Sequence, residues 1–242
     1  RTAFIASFIQ AIFPVVLYFE SELLLDALFM FLLELSFYRF IIWHEGHNAK
    51  NSLWLGMSLG LAAITRPIIL IFILPILADA LWRNGDLTTR IKNSAVLIAG
   101  LSLLILPITI RNLVVGHELV PIATQGGVNF YIGNNALADG LSAAMPEPLG
   151  HNLQIKDITY IAEKESGKKL SPGEVSDFWS QKTLHEILER PFETFKLFLK
   201  KIYFNFLNRE ISNNRNLPDF FSRNILLNIN PLSFGLIFSL AV

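Results

Sequence analysis

Arg66 and Arg111 are the residues of this chain whose type and placement most directly suggest chemistry. Each follows an apolar run: Arg66 within Thr65-Arg66-Pro67 after 52–64, and Arg111 beside Asn112 after 94–110. A cation at the edge of hydrocarbon is costly to keep there and by default has a function. The guanidinium's fixed fork of donors fits a phosphate in particular. Glu20, Glu22 and Asp26 form an acidic group between two other apolar runs. Such a group suits orienting a sugar hydroxyl, pairing with the arginines or holding a divalent metal, so a metal is possible but no metal site is assigned. A third group is Gly126-Gly127 with Asn129, Tyr131, Asn134 and Asn135. Glycines permit close backbone approach to a ligand, exposed amides form anion nests, and the Asn and Tyr side chains suit sugar or phosphate. His44 and His47 lack the spacing of a helical zinc site and read as solvated.

These groups must be positioned by apolar elements, which dominate the chain. Of its 242 residues 52% are hydrophobic and 17% charged, below the quarter usual in soluble domains; the mean hydropathy is +0.45. A net charge of zero gives no support to a nucleic-acid partner, and the absence of cysteine excludes disulfides and thiol catalysis. Apolar runs occupy 2–19, 22–43, 52–64, 67–82, 94–110 and 229–242. The first five read as membrane-spanning helices with short links, Pro14 kinking the first. Tyr38, Arg39 and Trp43 read as an interfacial belt. Run 52–64 is short for a span, about 20 Å, so the Thr65-Arg66-Pro67 turn is expected to be recessed. Its Gly56-Met-Ser-Leu-Gly60 has the small-residue spacing of closely packed helices.

With Arg1 on the cytoplasmic side, alternate crossings place Arg39, Lys50, Arg83, Arg90 and Lys92 there as well, as the positive-inside tendency favours. Links 44–51 and 83–93 are then cytoplasmic. Arg66, Arg111 and the acidic group share the opposite face with 112–227. The fold class expected is mainly α, a polytopic transmembrane helix bundle over 1–111. An extracytoplasmic mixed α/β loop region over 112–227 follows it, and a further membrane helix begins at 228–242. Within the loop region, 117–124 and 128–132 have strand-like composition around the turn Gln125-Gly126-Gly127. Ser171-Pro172-Gly173-Glu174 spells a capping box opening a helix to about Glu189. A last helix, about 191–208, carries Phe192, Phe195, Leu199, Ile202 and Phe206 on one stripe with Lys196, Lys200 and Lys201 off it. It suits either the membrane interface or packing on the rest of the loop.

The order of these pieces resembles the polytopic GT-C glycosyltransferases, among them the bacterial relatives of the protein O-mannosyltransferase and aminoarabinose transferase group. The resemblance rests on FPVVLYFESELLLDALFMFLL (13–33), LWLGMSLGLAAITRPIILIFILP (53–75), LPITIRNLVVGHELVPIATQGGVNFYIGNNALADG (106–140), and FNFLNREISNN with NPLSFGLIF further on. It implies a membrane glycosyltransferase moving a sugar from a polyprenyl-phosphate donor to a lipid, glycan or protein acceptor, with inversion at the sugar. The setting implied is the bacterial inner membrane, with the active face extracytoplasmic. The resemblance aligns Arg66 with the family's Thr-Arg-Pro region, Arg111 with an Arg-Asn that ends a later helix, and Glu20, Glu22 and Asp26 with a second acidic position. The family's aspartate base falls in a loop expected upstream of Arg1, so the chain reads as an internal fragment. The alternative is a lipid-linked polysaccharide polymerase, ligase or flippase/transporter component. Charges clustered at one face, rather than spread through the bilayer, favour surface chemistry.

Overall fold

The computed structural model describes residues 2–21, 24–83, 85–143 and 155–207. Every element among them is helical: α1 (Thr2–Ile12), α2 (Pro14–Ser21), α3 (Leu25–Glu45), α4 (Ala49–Thr65), a 3-10 turn (Pro67–Phe72), α5 (Ile73–Trp82), α6 (Leu87–Gly116), α7 (Gly126–Asn134), α8 (Ile155–Ser166), α9 (Pro172–Glu189) and α10 (Pro191–Asn205). The chain divides into two compact units, Val15–Ala123, and Arg1–Pro14 with Thr124–Val242.

In the Val15–Ala123 unit four helical segments, α3, α4, α5 with its 3-10 turn, and α6, run in alternating directions. α3 and α4 form an antiparallel hairpin. The Trp43 indole donates to Ser52 Oγ at 3.0 Å, and Asn51 Nδ2 donates to Gly46 O at 2.7 Å. α4 opens on Asn48, whose side chain accepts from the Asn51 N–H. It closes before Pro67, because the ring of a proline drives the preceding residue out of helical conformation. Arg66 is accordingly extended, at φ −143° and ψ 102°. α5 returns the chain, and α6 then runs parallel to α4. The parallel sense follows from the glycine contacts: Gly56 faces Leu97 and Leu101, and Gly60 faces Leu101 and Leu104. A Cβ on Gly56 would stand 2.0 Å from Leu97 O, and one on Gly100 2.6 Å from Leu53 O. Small residues are therefore what lets these two helices touch backbone to backbone. Leu55, Leu59, Ala62, Ala63, Ile69, Leu97 and Leu101 fill the core between the passes.

Several expectations change here. α4 begins at Ala49, ahead of its apolar run, and is about 26 Å long rather than about 20 Å. α6 starts at Leu87 on the Asp86 cap and continues through Pro107 to Gly116, so Arg111 lies inside a helix rather than at its end. Trp43 is buried in the core. Arg39 instead lies over the exposed Trp54, 5.3 Å from its centroid. α6 is long and apolar enough to cross a membrane, with only 22% of its apolar window buried. A core helix of a soluble protein hides most of that surface; here Leu103, Leu106, Ile110, Leu113 and Val114 stay exposed. α1 with α2, broken at Phe13, passes the same test only if the two count as one span.

The described part of 112–227 contains no strand. Residues 117–123 run irregularly, their carbonyls taken up by side chains of α6: Asn112 Nδ2 donates to Val120 O and Ile122 O at 3.0 and 3.2 Å, and Thr109 Oγ1 to Pro121 O at 2.8 Å. With those acceptors satisfied, no partner strand is required. Residues 128–132 belong to α7, so Gly126-Gly127 opens a helix instead of turning a hairpin. Val128, Tyr131 and Ile132 share one helical face against Ile158, Ala162, Val175 and Trp179, and that packing overrides the strand propensity of the segment. α9 opens on the expected capping box, Ser171 with Glu174, and α10 follows Pro191 as expected. The proposed membrane run at 229–242 lies outside the described residues.

Candidate functional site

One end of the Val15–Ala123 unit gathers the arginines. Asp26, in the first turn of α3, pairs with Arg66 Nη2 across forty residues of sequence. Both side chains stay partly open, with relative exposures of 48% for Arg66 and 36% for Asp26. Arg66 sits here for local reasons already given: Pro67 ends α4, and the extended residue before it carries its side chain out at the turn. Arg66 Nε and Nη1 carry no partner among the described residues. The register of the parallel pair supplies the level of the second arginine. Gly60 meets Leu104; six residues on along each helix are Arg66 and Ile110, the neighbour of Arg111. Arg111 is exposed and uses one nitrogen, with Nη1 3.2 Å from Asn112 Oδ1. Glu20 is exposed in the last turn of α2, and Glu22 lies outside the described residues. The two arginines expected to share a face thus stand at the same end of two parallel helices, and Asp26 joins Arg66 directly.

Below the Arg66–Asp26 pair, α3, α4, the 3-10 turn and α5 enclose an apolar groove of about 390 Å³. Leu33, Phe37 and Phe40 line it from α3, and Ile69, Phe72 and Ile76 from the other wall. The two walls are the elements that begin at Asp26 and just after Arg66. The lining residues nearest the pair in sequence are Ile69, three after Arg66, and Leu33, seven after Asp26.

The opposite end of the unit is a polar cluster. Arg83 Nε stands 3.2 Å from Asp79 Oδ2, and its Nη2 meets His44 Nδ1. His47 Nε2 lies 3.9 Å from Asp79 Oδ2, and Asn93 Nδ2 donates to His47 O at 3.2 Å. The links 44–51 and 83–93 therefore meet at one end of the unit. His47 is four-fifths buried, not solvated; burial and then Arg83 disfavour its charged form and lower its pKa. Among the described residues no group of three or more His, Asp or Glu is placed to hold a metal ion.

The Gly126–Asn134 group sits in the other unit, and α7 distributes its members to different tasks. Gly127 packs against α9, where a Cβ would stand 1.8 Å from Ser176 O, and its N–H donates to Ser176 Oγ at 3.0 Å. Tyr131 is buried 4.7 Å from the Trp179 ring. Its hydroxyl donates to Glu186 Oε1 at 3.0 Å, and burial, then that carboxylate, push its pKa well up. Asn134 Oδ1 accepts from Lys201 Nζ at 3.0 Å. Gly126 meets open space, and Asn129 is exposed and lines a cavity of about 420 Å³ with Gln125, Val128, Ile132, Ile158 and Val175. Asn135 is buried, its Nδ2 donating to Tyr131 O at 3.0 Å, so of the six residues expected to face a ligand only Gly126 and Asn129 are open to one. Sequence reading missed Gln125, Asp79 and Glu186. Gln125 carried a signal, standing one residue before a helix that opens on two glycines.

Residues 1–113 match the family described as dolichyl-phosphate-mannose-protein mannosyltransferase. The match takes in α1 to α5, most of α6 and both arginines, and it supports a membrane mannosyltransferase family of the GT-C-like kind. No curated protein and no solved structure matches the chain.

Proposed function

We propose that this protein is a membrane glycosyltransferase that takes a sugar from a polyprenyl-phosphate carrier and delivers it to a lipid, glycan or protein acceptor on the extracytoplasmic face of a bacterial inner membrane. The observation that carries the reading is the Arg66–Asp26 pair, on elements that further along line an apolar groove, within a segment that matches a mannosyltransferase family. In this reading the groove takes the carrier's first isoprene units and Arg66 takes its phosphate. Asp26 fixes the guanidinium through Nη2 and leaves Nε and Nη1 for the phosphate oxygens. Arg111, level with Arg66, supplies a second cation. Two cations placed at the departing phosphate stabilise the charge that develops as the glycosidic bond breaks. Glu20, in the same unit, is available to orient an acceptor.

The test is donor turnover by the full-length protein in proteoliposomes. Polyprenyl-phosphate sugars, mannose first, are supplied on the outer face, and release of free polyprenyl phosphate is measured. The expected result is sugar transfer with carrier release, lost on Arg66→Ala. Movement of an intact donor across the bilayer with no bond cleavage would replace this reading with a flippase.

A further inference from the structure

We propose that α10 is a membrane-surface anchor, lying with its aromatic face on phospholipid and reading anionic headgroups through Lys196 and Lys200. Thr194, Leu197, Lys201 and Phe204 are the half-buried residues of α10, spaced three and four apart on one side. That side is tied to its own unit. Lys201 Nζ donates to Gly133 O at 2.7 Å and to Asn134 Oδ1 at 3.0 Å. Gly140, at φ +84°, admits Lys201, Phe204 and Leu197 so closely that a Cβ there would meet them at 3.3 to 3.6 Å. The other side is apolar and bare: Phe192, Phe195, Leu199, Ile202 and Phe206 are all 40 to 64% exposed, and no residue of α10 is fully buried.

The occupant follows from the arrangement of charge. Lys196 and Lys200 stand one turn apart, both exposed; Lys196 Nζ lies 4.6 Å from the ring centroid of Phe192 on this face, and Lys200 Nζ 5.5 Å from that of the half-buried Phe204. The one carboxylate of the helix, Glu193, lies beyond Lys200 and away from the aromatic stripe. Aromatic rings under a row of lysines match the acyl and headgroup layers of an anionic bilayer surface. A protein partner would call for a mixed polar rim, which this face lacks. Lys201, already bonded to α7, is the one lysine of the three withheld from lipid.

The chain has no cysteine, so single Phe195→Cys, Leu199→Cys and Glu193→Cys variants of it take a nitroxide label at one place each. In nanodiscs of phosphatidylcholine with phosphatidylglycerol, labels at 195 and 199 are expected to be reached by oxygen and shielded from a water-soluble nickel chelate, while 193 is reached by both. Replacing Lys196 and Lys200 with Gln should lower the ratio of shielded to open label at 199 by about thirtyfold, as two lost headgroup contacts require. Removing phosphatidylglycerol should do the same to the unaltered chain, and Lys201 should be irrelevant to that lipid dependence. Open access of nickel at 195 and 199 would overturn the proposal, and so would exclusion of both reagents, which means a protein covers the face. Insensitivity to phosphatidylglycerol would overturn the role of the lysines.

Discussion

Gly56 gives the sharpest forecast, because the contact it makes is a distance to backbone rather than to a side chain that can swing away. A Cβ at 56 would lie 2.0 Å from Leu97 O, at 100 it would lie 2.6 Å from Leu53 O, and at 60 it would lie 3.0 Å from Leu101 O. Gly56→Ala therefore needs α6 to withdraw by about 1 Å or more, a gap that forfeits a quarter to half of each dispersion contact it opens. Overpacking of this kind costs roughly 1–3 kcal/mol, the upper end where backbone must move. Against it stands a gain of about 1 kcal/mol in helix propensity for alanine over glycine. The net expectation is a loss of about 2 kcal/mol or more for Gly56→Ala, an intermediate loss for Gly100→Ala and almost none for Gly60→Ala. Reversible unfolding in mixed detergent micelles measures all three. Donor turnover should fall in the same order, since α4 and α6 carry Arg66 and Arg111. Gly60→Ala as damaging as Gly56→Ala, or a neutral Gly56→Ala, would refute the parallel packing from which the level of the two arginines is derived.

Three other outcomes follow from single contacts. Ser52→Ala leaves the buried Trp43 indole N–H without its acceptor and should cost about 1–3 kcal/mol of stability in the same unfolding assay. Tyr131→Phe removes a donor from Glu186, which keeps Ala136 N–H and Arg190; the loss should be about 1.5–3 kcal/mol, whereas the exposed Asn129→Ala should shift stability by no more than about 0.5 kcal/mol. Asp139 is held at about 2 by the amides of Ser142 and Leu141. Because its folded pKa lies below the unfolded value of 3.8, the loop contact contributes above pH 4 and is lost as pH falls towards 2; the amide shifts of Leu141 and Ser142 should follow that titration, and Asp139→Ala should abolish it.

What the sequence made legible divides by range of interaction. Helix starts set by local chemistry were readable: Ser171 with Glu174, Pro191, and the stop before Pro67 all depend on neighbours within four residues. The meeting of Arg66 with Asp26 was readable in outline, because alternating passes of similar length return chemically distinct ends to the same level. The identity of 128–132 was not, since Val128, Phe130 and Ile132 alternate as a strand would, while Val128, Tyr131 and Ile132 also fit a helix. The choice was made by Trp179 and Ile158, which lie remote in sequence. Gly127 and Tyr131 looked like ligand residues for the same reason: glycine needed for close approach, and tyrosine with a polar tip, serve a partner helix as well as a sugar.

The central claim is that Arg66 and Arg111 grip one phosphate, and the direct measurement is the affinity of the full-length protein for polyprenyl phosphate. Losing a charged contact of about 1.5–3 kcal/mol should weaken binding roughly tenfold to a hundredfold in Arg66→Ala and in Arg111→Ala. Arg66→Lys should also bind more weakly than arginine, because the ammonium keeps the charge and loses the fork. Affinities unchanged in both alanine variants, with the fold intact by the unfolding assay, would contradict the account.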